Sequence, residues 1–197
     1  MLAACGINLF LAAMITVAMP YLVTEVIDLE TTWANRLYGF AQGMLAAGGL
    51  AGGICAGIFA KRLSIQKSGN LIVISALCLL PISASLLIVK SGMINYVILT
   101  LSCFAVMVCV SVFNVQVMSF FQTMTPAHLV GKVMALVITA AICAQPLGSA
   151  LYGVLFEISK GVEWMVVLFA CGVSMLAAFG VRKAFAGIVS QQEKNNL

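Results

Sequence analysis

Charge is what this sequence lacks most. Of its 197 residues only 8% are charged, and there is a single histidine. Soluble domains carry about 25% charged residues, so this chain has too little polar surface to face water on its own. The ten Lys+Arg against six Asp+Glu are scattered between apolar runs, with no basic, aromatic-interleaved stretch of the kind that binds nucleic acid. The seven cysteines all lie inside apolar runs and form no C-x-x-C or Cys/His grouping, so they are expected to be small apolar packing residues, not a disulfide framework or metal site. Enzyme signatures are also missing. There is no H-E-x-x-H, no G-x-S-x-G and no phosphate-cradling glycine loop, and the Ser64/Lys67 spacing falls in a basic loop where no buried lysine base is expected. No cofactor and no catalytic activity are expected.

What is present is hydrophobic length: 63% of the residues are apolar and the mean hydropathy is +1.14. A helix needs about 20 apolar residues to cross a bilayer. Six such segments are read here, at about Met1–Thr24, Leu37–Ala60, Asn70–Val89, Ile94–Phe121, Val133–Phe156 and Trp164–Val181. They are continuously apolar and do not alternate as barrel strands do, so helices are expected. The fold expectation is an all-α polytopic membrane protein, with residues 1–181 as the membrane domain and residues 182–197 as a polar cytoplasmic tail. The first Lys or Arg is Arg36, so the opening apolar run lacks the cationic start of a signal peptide and is expected to be retained.

Six spans put both termini on one side. Lys61, Arg62, Lys67, Lys132, Arg182, Lys183 and Lys194 fall on that side, against Arg36, Lys90 and Lys160 on the other. The positive-inside rule therefore makes the termini cytoplasmic, in a plasma-membrane protein. Trp33 and Trp164 then sit at outer span ends, as an interfacial aromatic belt requires.

Glycine is concentrated in the second segment. The register Gly49, Gly53, Gly57 recurs every four residues and bares one helix face for close approach, and the fifth segment carries Gly148 and Gly153 with small neighbours. Close packing is expected at Gly49, Gly53, Gly148 and Gly153, with lipid-facing positions at Ile72 and Val167. Gly52, Gly53, Gly57 and Ile58 align without gaps on Gly148, Ser149, Gly153 and Val154, a faint internal repeat between the middle helices of two triplets.

No ionisable residue falls near the middle of any span. The polar candidates for a solute path are Asn8, Gln42, Asn114, Gln116 and Gln145, each of which could instead serve as interhelical glue. Gln145 is the best of them, because Pro146 beside it frees a backbone carbonyl near mid-span.

Two loops carry a family resemblance. Gly57-Ile-Phe-Ala-Lys61-Arg62-Leu-Ser-Ile-Gln-Lys67 resembles the G-x-x-x-D-R-x-G-R-[KR] motif between the second and third helices of each half of a major facilitator transporter. Gly57 and Arg62 match in register and Lys67, one residue further on, is read as the motif's final basic residue, whereas Lys61 replaces the aspartate and the second Gly-Arg pair is missing. The segment from Gln122 to Val133, with Pro126, Gly131 and Lys132, followed by Gln145-Pro146-Leu147-Gly148, looks like the tenth-to-eleventh helix region of the macrolide-efflux-like branch. The resemblance implies the C-terminal six-helix half of a twelve-helix fold, built as two inverted three-helix repeats. It also implies efflux of a small, lipophilic or drug-like solute, in partnership with a six-helix N-terminal half or a second copy of the chain. Without the motif's aspartate its charge relay does not carry over, and Arg62 and Lys67 remain as ion-pairing groups. The alternative from another class is a six-helix membrane assembly or scaffold protein with no transport activity.

Overall fold

A computed structural model describes residues 6, 8–27, 31–59 and 68–195. Its architecture is helical, with no strand among the described residues and six helices long and apolar enough to span a membrane. They are α1 (Leu9–Val26), α2 (Thr31–Ile58), α3 (Gly69–Ile88), α4 (Gly92–Met124), α5 (Val130–Ile158) and α6 (Glu163–Asn195). At 1.5 Å per residue, the 33 residues of α4 span about 50 Å, more than the roughly 30 Å of hydrocarbon, so its ends reach the headgroups. α6 is equally long and runs on as helix through Arg182 to Asn195, across the stretch read from sequence as a polar tail.

Prolines shape two of the spans. In α1 the α-helical part, Ala13–Tyr21, contains Pro20 and is flanked by π-helical turns at Asn8–Ala12 and Leu22–Val26. Proline has no N–H, so the carbonyl of Thr16 has no donor four residues on, and the chain rewinds into the wider turn. In α3 the helix is broken between Ser68–Leu77 and Leu80–Ile88, where Pro81 near the start of the second piece removes the partner of the Leu77 carbonyl.

The packing links the two halves of the chain. α2 lies along α4, α5 lies along α1, and α3 lies against both α6 and α4. The middle helix of each triplet thus packs along the first helix of the other. Tyr96 on α4 donates to the Leu37 carbonyl of α2 at 2.8 Å, and the Ser83 hydroxyl of α3 donates to the Trp164 carbonyl of α6 at 3.1 Å. The Cys171 thiol of α6 donates to the Ala76 carbonyl of α3 at 3.1 Å, in the packing role expected of the cysteines.

Several expected faces are rotated. A Cβ built at Gly53, Gly57 or Gly153 meets nothing within 4 Å, so these glycines are not at close helix contacts. The face of α2 that meets α4 instead carries Ala41, Leu45, Gly48, Gly52 and Ala56, all buried. A Cβ at Gly52 would stand 2.5 Å from the Val108 carbonyl oxygen, whereas one at Gly49 makes only ordinary contact with the Ser111 hydroxyl at 3.7 Å. On α5, a side chain at Gly148 would fall on the Leu9 carbonyl of α1 and 2.6 Å from the Ala13 Cβ. Ile72 and Val167 are core residues, 2% and 0% exposed, and do not face lipid.

Burial differs sharply between spans. Within their most apolar windows α1 and α4 are 44% buried, α2 22% and α5 only 11%. α2 and α5 are therefore the spans that the rest of the chain covers least.

Candidate functional site

A cavity of about 410 Å³ lies where α1, α2, α4 and α5 meet, lined among others by Thr16, Gln42, Leu45, Met107 and Gln145. Each polar member is held by a local feature of its helix. Thr16 sits one turn before Pro20 and donates its hydroxyl proton to the Ala12 carbonyl at 2.8 Å, the back-bond a helical threonine makes to the preceding turn. Gln42 follows Tyr38 by four residues, on the same helix face, and its Nε2 donates to the Tyr38 hydroxyl at 2.7 Å. Gln145 comes from the opposite wall. Its Nε2 reaches across from α5 to donate to Thr16 Oγ1 at 3.4 Å, a long bond that joins the proline-containing stretches of α1 and α5.

Close approach of the helices makes this crossing feasible. Gly148, one turn beyond Gln145, lets α5 lie against the Leu9 carbonyl and the Ala13 side chain of α1. Pro146 points outward from α5 and withholds the N–H that would pair with the Ile142 carbonyl. Among the described residues no ionisable side chain lines the cavity. Its described walls are therefore apolar apart from two amides and a hydroxyl.

Of the five path candidates read from sequence, the structure brings Gln42 and Gln145 into one cavity. Asn114 is exposed on α4 and Gln116 half-buried on the same helix, and neither lines the cavity. Asn8 directly precedes α1, at the start of the turn Asn8–Ala12, and its side chain lies outside the described residues. Sequence reasoning passed over Thr16 and Tyr38. Thr16 had a legible signal, a hydroxyl four residues before a proline inside a span, where backbone pairing must fail.

The loop residues are separate from the cavity. Arg62 and Lys67 lie outside the described residues, and Gly57 is exposed near the end of α2. Pro126 starts the turn between α4 and α5, with the Leu129 N–H donating to its carbonyl at 2.8 Å, and Gly131 and Lys132 fall in the first turn of α5. At the opposite end of the bundle the guanidinium of Arg36 stands 5.5 Å over the exposed Trp33 ring. From there a shallower groove of about 510 Å³ runs down α2 over Gly39 and Gly43, between Phe40 and Met44.

No family model matches the chain, and no curated protein or solved structure does either.

Proposed function

We propose that the chain is one six-helix half of a secondary transporter of the major facilitator type, which exports a small lipophilic or drug-like solute across the cytoplasmic membrane. The observation that carries the reading is the convergence of Gln42 and Gln145, from the two least covered spans, on one cavity with Thr16. Amides cost free energy in apolar surroundings unless they find partners or line an aqueous path, and a wall shared by a second six-helix unit supplies such a path near the midplane. The packing of each triplet's middle helix along the first helix of the other supports two inverted repeats, because α1 and α4 begin on opposite sides of the membrane. α2 and α5 then face the partner half or a second copy, with both termini in the cytoplasm.

The test is flux. Everted membrane vesicles from cells making the chain together with a six-helix partner should accumulate a lipophilic fluorophore, and Gln145→Leu at unchanged abundance should abolish most of that accumulation. A chain that is stable in the membrane and moves no solute with any partner, or as a dimer, would be an assembly protein working through helix contacts.

A further inference from the structure

We propose that the cavity between α1, α2 and α5 selects an uncharged solute carrying O–H or N–H donors on an apolar body, the donors being bound by the amide oxygens of Gln42 and Gln145. The inference rests on the reading of this cavity as part of a solute path, and adds the chemical class of what enters it.

The hydrogen bonds already made decide which groups remain for a ligand. The Thr16 proton goes to the Ala12 carbonyl, one Gln145 N–H goes to Thr16, and one Gln42 N–H goes to the Tyr38 hydroxyl. Each amide therefore keeps its oxygen, with two lone pairs, and one N–H. The surplus is of acceptors, so the matching solute brings donors. The rest of the lining, Ile15, Leu45 and Met107 among it, offers only apolar contact.

Charge is disfavoured on magnitude. A neutral hydrogen bond is worth about fivefold in affinity. Taking an unpaired ion even part of the way out of water costs more than that, and the described lining residues include no carboxylate or cation to offset it. Two amide oxygens repel an anion and cannot compensate a cation. The volume of about 410 Å³ lies within the range of sites for drug-sized ligands.

The experiment uses three dansyl amides sharing one fluorophore: the N-(2-hydroxyethyl) amide, neutral with two donors; the N,N-diethyl amide, neutral with none; and the N-(2-trimethylammonioethyl) amide, a fixed cation. Each is titrated against the purified chain in nanodiscs by emission shift, with empty nanodiscs as the background for partition into lipid and the Gln42→Met/Gln145→Met double variant as the control that lacks both amides. The hydroxyethyl probe should bind at least about fivefold more tightly than either of the others. Each single Gln→Met change should weaken it about fivefold and leave the diethyl probe unchanged, while Gln145→Asn retains most of the binding. Gln145→Glu should raise the cation's affinity above its value in the unaltered chain, a gain that misfolding cannot produce. A cation bound as tightly as the hydroxyethyl probe by the unaltered chain, or hydroxyethyl binding indifferent to both Gln→Met changes, overturns the proposal. Binding is read without flux, so a reversed probe order leaves the transport reading standing, and a chain that moves nothing can still show the predicted order.

Discussion

The carbonyl of Leu9 in α1 lies directly against Gly148 of α5, leaving no room for a side chain between the two helices. The Val108 carbonyl of α4 stands in the same relation to Gly52 of α2. Each contact joins the two halves of the sequence, so Gly148→Leu and Gly52→Leu must push apart helices that hold the bundle together. Each should lower stability by about 1–3 kcal/mol, as overpacking does in cores. Gly53→Leu and Gly153→Leu, where a Cβ meets nothing within 4 Å, should leave it unchanged. Thermal unfolding of the four variants in detergent is the measurement, and equal midpoints for Gly52→Leu and Gly53→Leu would contradict the register of α2.

Two tyrosines separate a satisfied hydroxyl from an orphaned one. Tyr96 is buried and donates to the Leu37 carbonyl, while Tyr152 is 0% exposed and its hydroxyl has no partner among the described residues. Tyr96→Phe should destabilise the chain by about 0.5–1.5 kcal/mol through loss of a hydrogen bond. Tyr152→Phe removes a desolvated group that returns nothing and should be neutral or stabilising by about 1 kcal/mol. Opposite signs in the same unfolding assay are the expected outcome; a loss of stability in Tyr152→Phe would reveal a partner for its hydroxyl.

The spans were legible because their cause is one-dimensional: an apolar run of sufficient length needs no knowledge of its neighbours. Faces were not. In lipid both the packed and the exposed sides of a helix are apolar, so periodicity cannot tell Ile72 and Val167 in the core from lipid-facing positions. The second span shows this sharply. Gly49, Gly53, Gly57 and Gly48, Gly52, Ala56 are two small-residue registers side by side, and only the position of α4 chooses between them. Of the site, Gln42 and Gln145 were visible as amides in apolar runs. That they share a cavity follows from Gly148 drawing α5 onto α1, a contact between residues far apart in sequence.

Orientation can be read by labelling. Asn35, exposed near the start of α2, and Ala127, exposed in the turn between α4 and α5, lie at opposite ends of the bundle. In a cysteine-free background Asn35→Cys should react with an impermeant maleimide on intact cells. Ala127→Cys should react only after permeabilisation, since the loops with more Lys and Arg are retained in the cytoplasm. The reverse pattern would invert the topology.

The last prediction concerns what the chain does alone. With 11% and 22% of their apolar windows buried, α5 and α2 present open faces, and that of α2 is recessed at Gly39 and Gly43, where a second helical unit could approach closely. The cavity amides belong to these two helices, so on the proposed reading a solute held there by this chain alone is enclosed on one side only. Proton coupling further requires a group that changes charge within the membrane. Among the described residues the charged side chains within the spans stand at their ends: Glu25 at the close of α1, Arg36 near the start of α2, Lys132 at the start of α5, Glu157 at its close and Glu163 at the start of α6. None of these is placed to exchange a proton at the midplane, so on the proposed reading a proton-coupled cycle draws its titrating group from the partner half. Purified chain in liposomes under an imposed pH gradient should therefore insert, bind the neutral probe and drive no uptake, and adding the partner half should restore it. Proton-driven uptake by the 197-residue chain alone would mean that one of these end-of-span carboxylates reaches the solute path, and that one half suffices.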